Sequence, residues 1–162
     1  MKELQIQFDR METAISVMRE VAAWGREQGF RVWLDEWLTP KELITADAQP
    51  DNFCIGSLDG EIACAFLLQW TDSAYWPNAP KMEAAYLHKF CVRRKFAGMG
   101  MTQLAVDAIK AECRKRNVRY IRLDTDLDEK VVRKIYLNAG FKIVNIIDYP
   151  NGRSMALYEL EL

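Results

Sequence analysis

The stretch RRKFAGMGMTQL, residues 93–104, sets two glycines either side of one methionine, just behind Arg93, Arg94 and Lys95. Gly98 and Gly100 open positive φ to the chain and leave the neighbouring N–H groups uncovered by a Cβ. An apolar run precedes them and an amphipathic pattern follows, so these donors coincide with the positive end of a helix. Such an arrangement receives an anion, a phosphate above all. Thr102 adds a hydroxyl within the first helical turn. A strand-to-helix turn that needs positive φ accounts for the glycines alone; the three cations shift the weight toward an anion. Neither familiar phosphate pattern fits. GxxxxGK[ST] is absent, and GxGxxG lacks its third glycine here.

Other side chains could move protons. His88 is the single histidine of the chain and stands in an apolar run. Histidine is the natural base near neutral pH, although a strand histidine can equally be a satisfied structural residue. Glu83, Asp124 or a chain of waters could serve instead. Tyr136 carries a hydroxyl that holds its proton at neutral pH; on helix pattern alone it is a packed aromatic. Trp33, Trp37, Trp70, Tyr75 and Trp76 offer faces for a cation or an aromatic amine, with Asp35 and Glu36 near the first two. Core and rim packing accounts for most of these aromatics as readily. Cys54, Cys64, Cys91 and Cys113 are scattered, with no CxxC spacing and one histidine, so reduced thiols are expected and a zinc site is not.

These residues need elements to hold them. The sequence alternates like a strand at 4–8 and turns helical over 11–28, with Gly29 as the stop. Pro40 suits the first turn of a short second helix. Apolar runs at 52–58 and 61–70 flank Asp59-Gly60, a strong hairpin signal. The segment 71–83 holds two prolines and no periodicity and reads as a long loop. A strand at 84–92 then leads into the glycine stretch. Helices follow at 101–116 and 129–138, strands at 118–125 and after Gly140, and a last strand at 154–162. The order β-α-α-β-β-β-α-β-α-β-β, without repeat or linker, predicts one α/β domain over residues 1–162.

Composition limits the function classes. The chain has 162 residues, half of them hydrophobic, with 22 basic and 23 acidic residues. That balance gives no electrostatic pull toward nucleic acid or membrane, and Arg114, Lys115, Arg116 and Arg119 read as a solvated helix end. No apolar run approaches the length of a membrane span, which takes about 18 residues or more. The first residues lack a signal-peptide h-region, so a cytoplasmic protein is expected.

Three segments together carry more than any one of them. Phe90 and Val92 end a strand, Lys95-Phe96-Ala97-Gly98-Met99-Gly100 opens a helix, and Ile135-Tyr136-Leu137-Asn138-Ala139-Gly140-Phe141 closes a later one. This combination resembles the GCN5-related N-acetyltransferases, most strongly over 85–147. The resemblance implies a mixed, mostly antiparallel sheet of about seven strands flanked by about four helices. It implies acetyl-CoA as cosubstrate and transfer of its acetyl group to a primary amine of a small molecule or peptide by direct attack on the thioester. Dimers are common in the family. By the same resemblance Phe90, Cys91 and Val92 would offer main-chain groups to the pantetheine arm. Arg94, Lys95, Phe96, Ala97, Gly98, Met99, Gly100, Met101 and Thr102 would hold the pyrophosphate. Glu129 falls where many members carry asparagine, and Lys95 where glutamine or arginine is usual. Tyr136 would protonate the leaving thiolate, His88 would be a base, and Trp33, Trp37, Tyr75 and Trp76 would line the acceptor side. An acyl-CoA-binding module without turnover is the alternative on the same fold.

Overall fold

The computed structural model describes residues 2–162. Its element order is β1 (Gln5–Gln7), α1 (Met11–Glu27), α2 (Pro40–Leu43), β2 (Phe53–Leu58), β3 (Glu61–Gln69), β4 (Ala84–Val92), α3 (Met101–Lys115), β5 (Tyr120–Asp126), α4 (Lys130–Asn138), β6 (Lys142–Asp148) and β7 (Ser154–Glu161). One seven-stranded sheet runs β1-β2-β3-β4-β5-β7-β6. Every neighbouring pair is antiparallel except β4 and β5. The expected mixed, mostly antiparallel α/β architecture with four helices is therefore the one found.

Local chemistry explains the elements. α1 keeps Ala14, Ile15, Met18 and Ala22 buried on one stripe, against β2, β3 and β4. α2 is a single turn, capped by the Thr39 hydroxyl, which accepts from the Glu42 N–H, with Pro40 in its first turn. Asp59 (φ 52°) and Gly60 (φ 80°) supply the paired positive φ of a type I′ hairpin between β2 and β3. The sheet separates two cores. Phe66, Leu68, Leu87, Ile109 and Tyr158 pack on the α3 side, and Met18, Leu38, Phe53, Ile55 and Leu67 on the α1 side. No helix among the described residues is long and apolar enough to cross a membrane. The four cysteines are free and buried, and burial pushes Cys64, Cys91 and Cys113 up to about 12, which keeps those thiols protonated and inert.

β4 and β5 pair in register only at Ala84–Tyr120, Ala85–Ile121 and Tyr86–Arg122. Beyond those rungs they part. Arg122 fastens the closed end: it donates to Glu159 at 2.9 Å, to Glu83 at 3.0 Å and to the Tyr86 hydroxyl at 3.1 Å. Burial works against that guanidinium, but the hydrogen bonds to Glu159, Tyr86 and Glu83 outweigh it and hold its pKa above the usual arginine value. Glu83 is thus committed to this clamp and stands apart from the open end.

A second irregularity lies opposite. Cys91 pairs with Ala65 and His88 with Leu67, so Lys89 and Phe90 together face Phe66 across the ladder. Such a bulge re-aims the side chains beside it. Arg122→Ala, which removes a buried guanidinium from the partly exposed carboxylates of Glu83 and Glu159, is expected to lower unfolding free energy by about 2 kcal/mol. Urea denaturation followed by circular dichroism measures it.

Candidate active site

The parting of β4 and β5 forms a cavity of about 580 Å³. His88, Lys89, Phe90, Cys91 and Val92 line one wall, and Leu123 to Asp126 the other. Glu129 and Tyr136 of the α4 region close one side, and Arg31, Val32, Trp33 and Tyr75 reach over the other. A neighbouring cleft of about 520 Å³ shares Val92 and Arg94 and continues along Phe96, Ala97, Gly98, Gly100, Met101 and Thr102 toward Ile135 and Asn138. The two form one furrow from the sheet interior to the start of α3.

At the α3 end the backbone is bare. Gly98 and Gly100 both have φ 73°, and Gly100 caps the helix in the left-handed conformation with no side-chain cap. A Cβ at either position would meet nothing within 4 Å, so φ and the open face beside it explain the glycines. Among the described residues, the N–H groups of Gly98, Gly100, Met101, Thr102 and Gln103 have no partner in the chain. Arg94 is held at the junction of the two clefts by stacking on Trp24, its Cζ 3.7 Å from the ring centre. Five free donors, a helix dipole and a fixed guanidinium make an anion site.

At the sheet end three ionisable groups meet. His88 Nε2 lies 2.9 Å from Asp72 Oδ2, and Nδ1 lies 3.4 Å from Asp124 Oδ1. Asp72 is buried and comes from the loop after β3. Asp47 holds that loop in place by accepting from the Thr71 hydroxyl and from the backbone and hydroxyl of Ser73. Asp72 also accepts from the Tyr75 N–H, which folds the loop back over the cavity. Burial raises the Asp124 carboxyl above the usual carboxylate range, opposed by His88, and its Oδ1 has no hydrogen bond. The three groups lie close enough to ligate a cation, and the hydrogen bond between His88 and Asp72 links two of them. As it stands the cluster can orient an imidazole and take up a proton.

Tyr136 lines the same cavity, its ring packed on Phe141 and Tyr158. Burial first, and nearby Asp124 next, push its pKa above the ordinary tyrosine value, so the phenol stays protonated. Its hydroxyl makes no hydrogen bond within the chain among the described residues.

The family model for acetyltransferases (GNAT) matches residues 18–141, most of the chain. This protein belongs to the GNAT acetyltransferase family. A curated relative, the uncharacterized N-acetyltransferase YesJ of Bacillus subtilis, is 23% identical over 144 residues, which cover 85% of this chain and 79% of YesJ. A GNAT-family acetyltransferase from Listeria monocytogenes superposes with a TM-score of 0.73 at 22% identity, covering 98% of this chain and 95% of the other. The aminoglycoside acetyltransferase AAC(6′)-Ib, solved with coenzyme A and kanamycin, gives 0.70 at 13% identity over 98% and 95%. At these identities the structures speak for the GNAT fold.

Most residues singled out from the sequence line the furrow, and some do not. Lys95 turns away to Glu61, with Nζ 2.6 Å from Oε1, and Met99 is exposed outside both clefts. Trp37 is half exposed beyond the cavity, and Trp76 packs on Tyr86 at the closed end. Asp35 is paired with Arg26. Arg116 lies over Trp70, Lys115 pairs with Glu112 and Arg119 with Glu161, so three of the four cations around this helix end are engaged locally. Asp72, Lys89, Arg31 and Arg153 line or support the site without having been singled out. Only the buried acid needed by a strand histidine hinted at Asp72.

Asp124 is a carboxyl whose ionisation the fold resists. A pKa raised on folding contributes stability below the unfolded value and loses it as pH rises through the folded one. Asp124→Asn is therefore expected to raise Tm at pH 7, with the advantage shrinking below about pH 4. Calorimetry across pH checks it.

Proposed function

We propose that this GNAT protein is an acetyl-CoA-dependent N-acetyltransferase that acetylates a primary amine by direct attack on the thioester. The observation that supports it most is one furrow joining a bare helix N-terminus to a cavity with a histidine–carboxylate cluster on one wall and a protonated phenol on another. The pyrophosphate rests on the N–H groups from Gly98 to Gln103, with Arg94 beside it, while Lys95 stays on Glu61. The pantetheine arm takes the place that β5 vacates along Phe90, Cys91 and Val92, using main-chain groups that the sheet leaves open.

His88, oriented by Asp72, takes a proton from the incoming ammonium, and Asp124 steadies the charge it acquires. The free amine attacks the carbonyl carbon, the C–N bond forms and the C–S bond breaks; the Tyr136 hydroxyl gives its proton to the thiolate, and the second proton lost by the nitrogen returns through solvent to the Tyr136 phenolate. Burial that raises a phenol also penalises a thiolate, so the proton has reason to move. The acceptor enters between Trp33 and Tyr75. AAC(6′)-Ib, in its complex with coenzyme A and kanamycin, is a precedent on this fold for an amine-bearing small molecule.

Tyr136→Phe removes the donor and little else, so kcat is expected to fall by about 10²-fold or more with the coenzyme KM little changed. An amine panel followed by free coenzyme thiol measures both. An unchanged kcat would remove Tyr136 from this role. Thermal melts test the binding half: acetyl-CoA at about 100 times its Kd should stabilise the chain by about 2.7 kcal/mol. Binding without turnover on any amine would favour an acyl-CoA-binding module instead.

A further inference from the structure

The acceptor side of the cavity already contains an amine, supplied by the chain itself. Lys89 sits at the β4 bulge with φ 54°, a left-handed conformation that a side chain rarely adopts. Residues held this way are kept there by their surroundings and gather at functional sites. The bulge leaves Leu87 and Phe90 packed with the α3-side core, while Lys89 lines the cavity beside His88. Its Nζ lies 5.3 Å from the centre of the Trp33 ring.

Lysine usually carries its ammonium to water or to an acid. Elsewhere in the chain Lys2, Lys95 and Lys115 do so, on Asp59, Glu61 and Glu112. Lys89 has no hydrogen bond or ion pair among the described residues. Burial lowers its pKa from the ordinary lysine value, with Asp124 opposing, which favours the neutral amine. A half-buried amine thus lines the cavity beside His88 and against Trp33, the side that the proposed function gives to the acceptor.

We infer that Lys89 is itself an acetyl acceptor, modified in the same chain by acetyl-CoA bound in the furrow. This rests on the coenzyme reading above. The neutral Nζ attacks the thioester carbonyl carbon, the C–N bond forms and the C–S bond breaks. The proton shed by nitrogen passes to His88, and the thiolate takes one from Tyr136. The products are Nε-acetyl-Lys89 and free coenzyme A. The acetylated side chain is uncharged, lies against Trp33 without a desolvated ammonium, and narrows the acceptor side.

The full chain, incubated with acetyl-CoA carrying a deuterated acetyl group and no added amine, is followed by intact mass and peptide mapping. One acetyl group should appear at Lys89 ahead of the exposed Lys2, Lys95 and Lys115, by about tenfold or more in rate, as proximity predicts. The urea-unfolded chain should lose that preference, and Tyr136→Phe should slow the Lys89 reaction. Thermal melts with acetyl-CoA run alongside. If the coenzyme stabilises the chain while Lys89 reacts no faster than the exposed lysines, self-acetylation is overturned and coenzyme binding stands. If acetyl-CoA does not stabilise the chain, the coenzyme reading falls and takes this inference with it.

Discussion

Everything at the centre of this protein depends on where the pairing of two parallel strands stops. β4 and β5 share three rungs and then diverge. A sheet with such a gap would exchange many hydrogen bonds for water unless its closed end were secured. Arg122 secures it by joining Tyr86 and Glu83, at the β4 side, to Glu159 of β7 through one buried guanidinium. Its planar fork donates from three separate nitrogens, to Glu159, Tyr86 and Glu83, a spread that the single nitrogen of a lysine could not reproduce. The clamp concentrates rigidity at one end and leaves the other open to a ligand. The backbone groups exposed there are the groups that a pantetheine arm would need.

Opposed demands meet within the opening. A base wants a carboxylate behind it, and a proton donor wants burial. Asp72 lies behind the imidazole, while burial in the same low-dielectric space raises both the Asp124 carboxyl and the Tyr136 phenol. The fold carries Asp124 at a cost and sets Lys89 in a backbone conformation that resists a side chain. Both burdens fall within the cavity, where local rules of sequence and structure are commonly broken.

The element order and the sheet class were legible because their signals are local. Period-two runs, the Asp59-Gly60 turn, the glycines before α3 and the Gly140 stop each act within a few residues. The positions of Gly98, Gly100, His88 and Tyr136 along the furrow followed once strand and helix were placed. What could not be read required two distant segments at once. Lys95 looked like a phosphate partner because Glu61 is far away in sequence and adjacent only across β3. Trp76 looked like a cavity residue until Tyr86 took it. A bulge is one unpaired residue in an otherwise alternating strand, so neither the face of Lys89 nor its burial shows in the pattern. Asp72 lay in a stretch whose lack of periodicity hid how firmly it is tied down.

That tie has a consequence for how the molecule divides. The glycine stretch, Tyr136 and Asp124 all belong to the second half of the chain, whereas Asp47, which fixes Thr71 and Ser73 around Asp72, belongs to the first. On the proposed reading, the parts that face the coenzyme and those that handle protons are therefore not separable modules. A chimera that kept residues 84–162 and took its first half from another member of the family would retain the glycine stretch, Tyr136 and Asp124, but would replace Trp24 beneath Arg94 and the cavity side made by Arg31, Trp33 and Tyr75. The His88 imidazole would then lose the carboxylate that turns it, together with the short tether that keeps this carboxylate out of water.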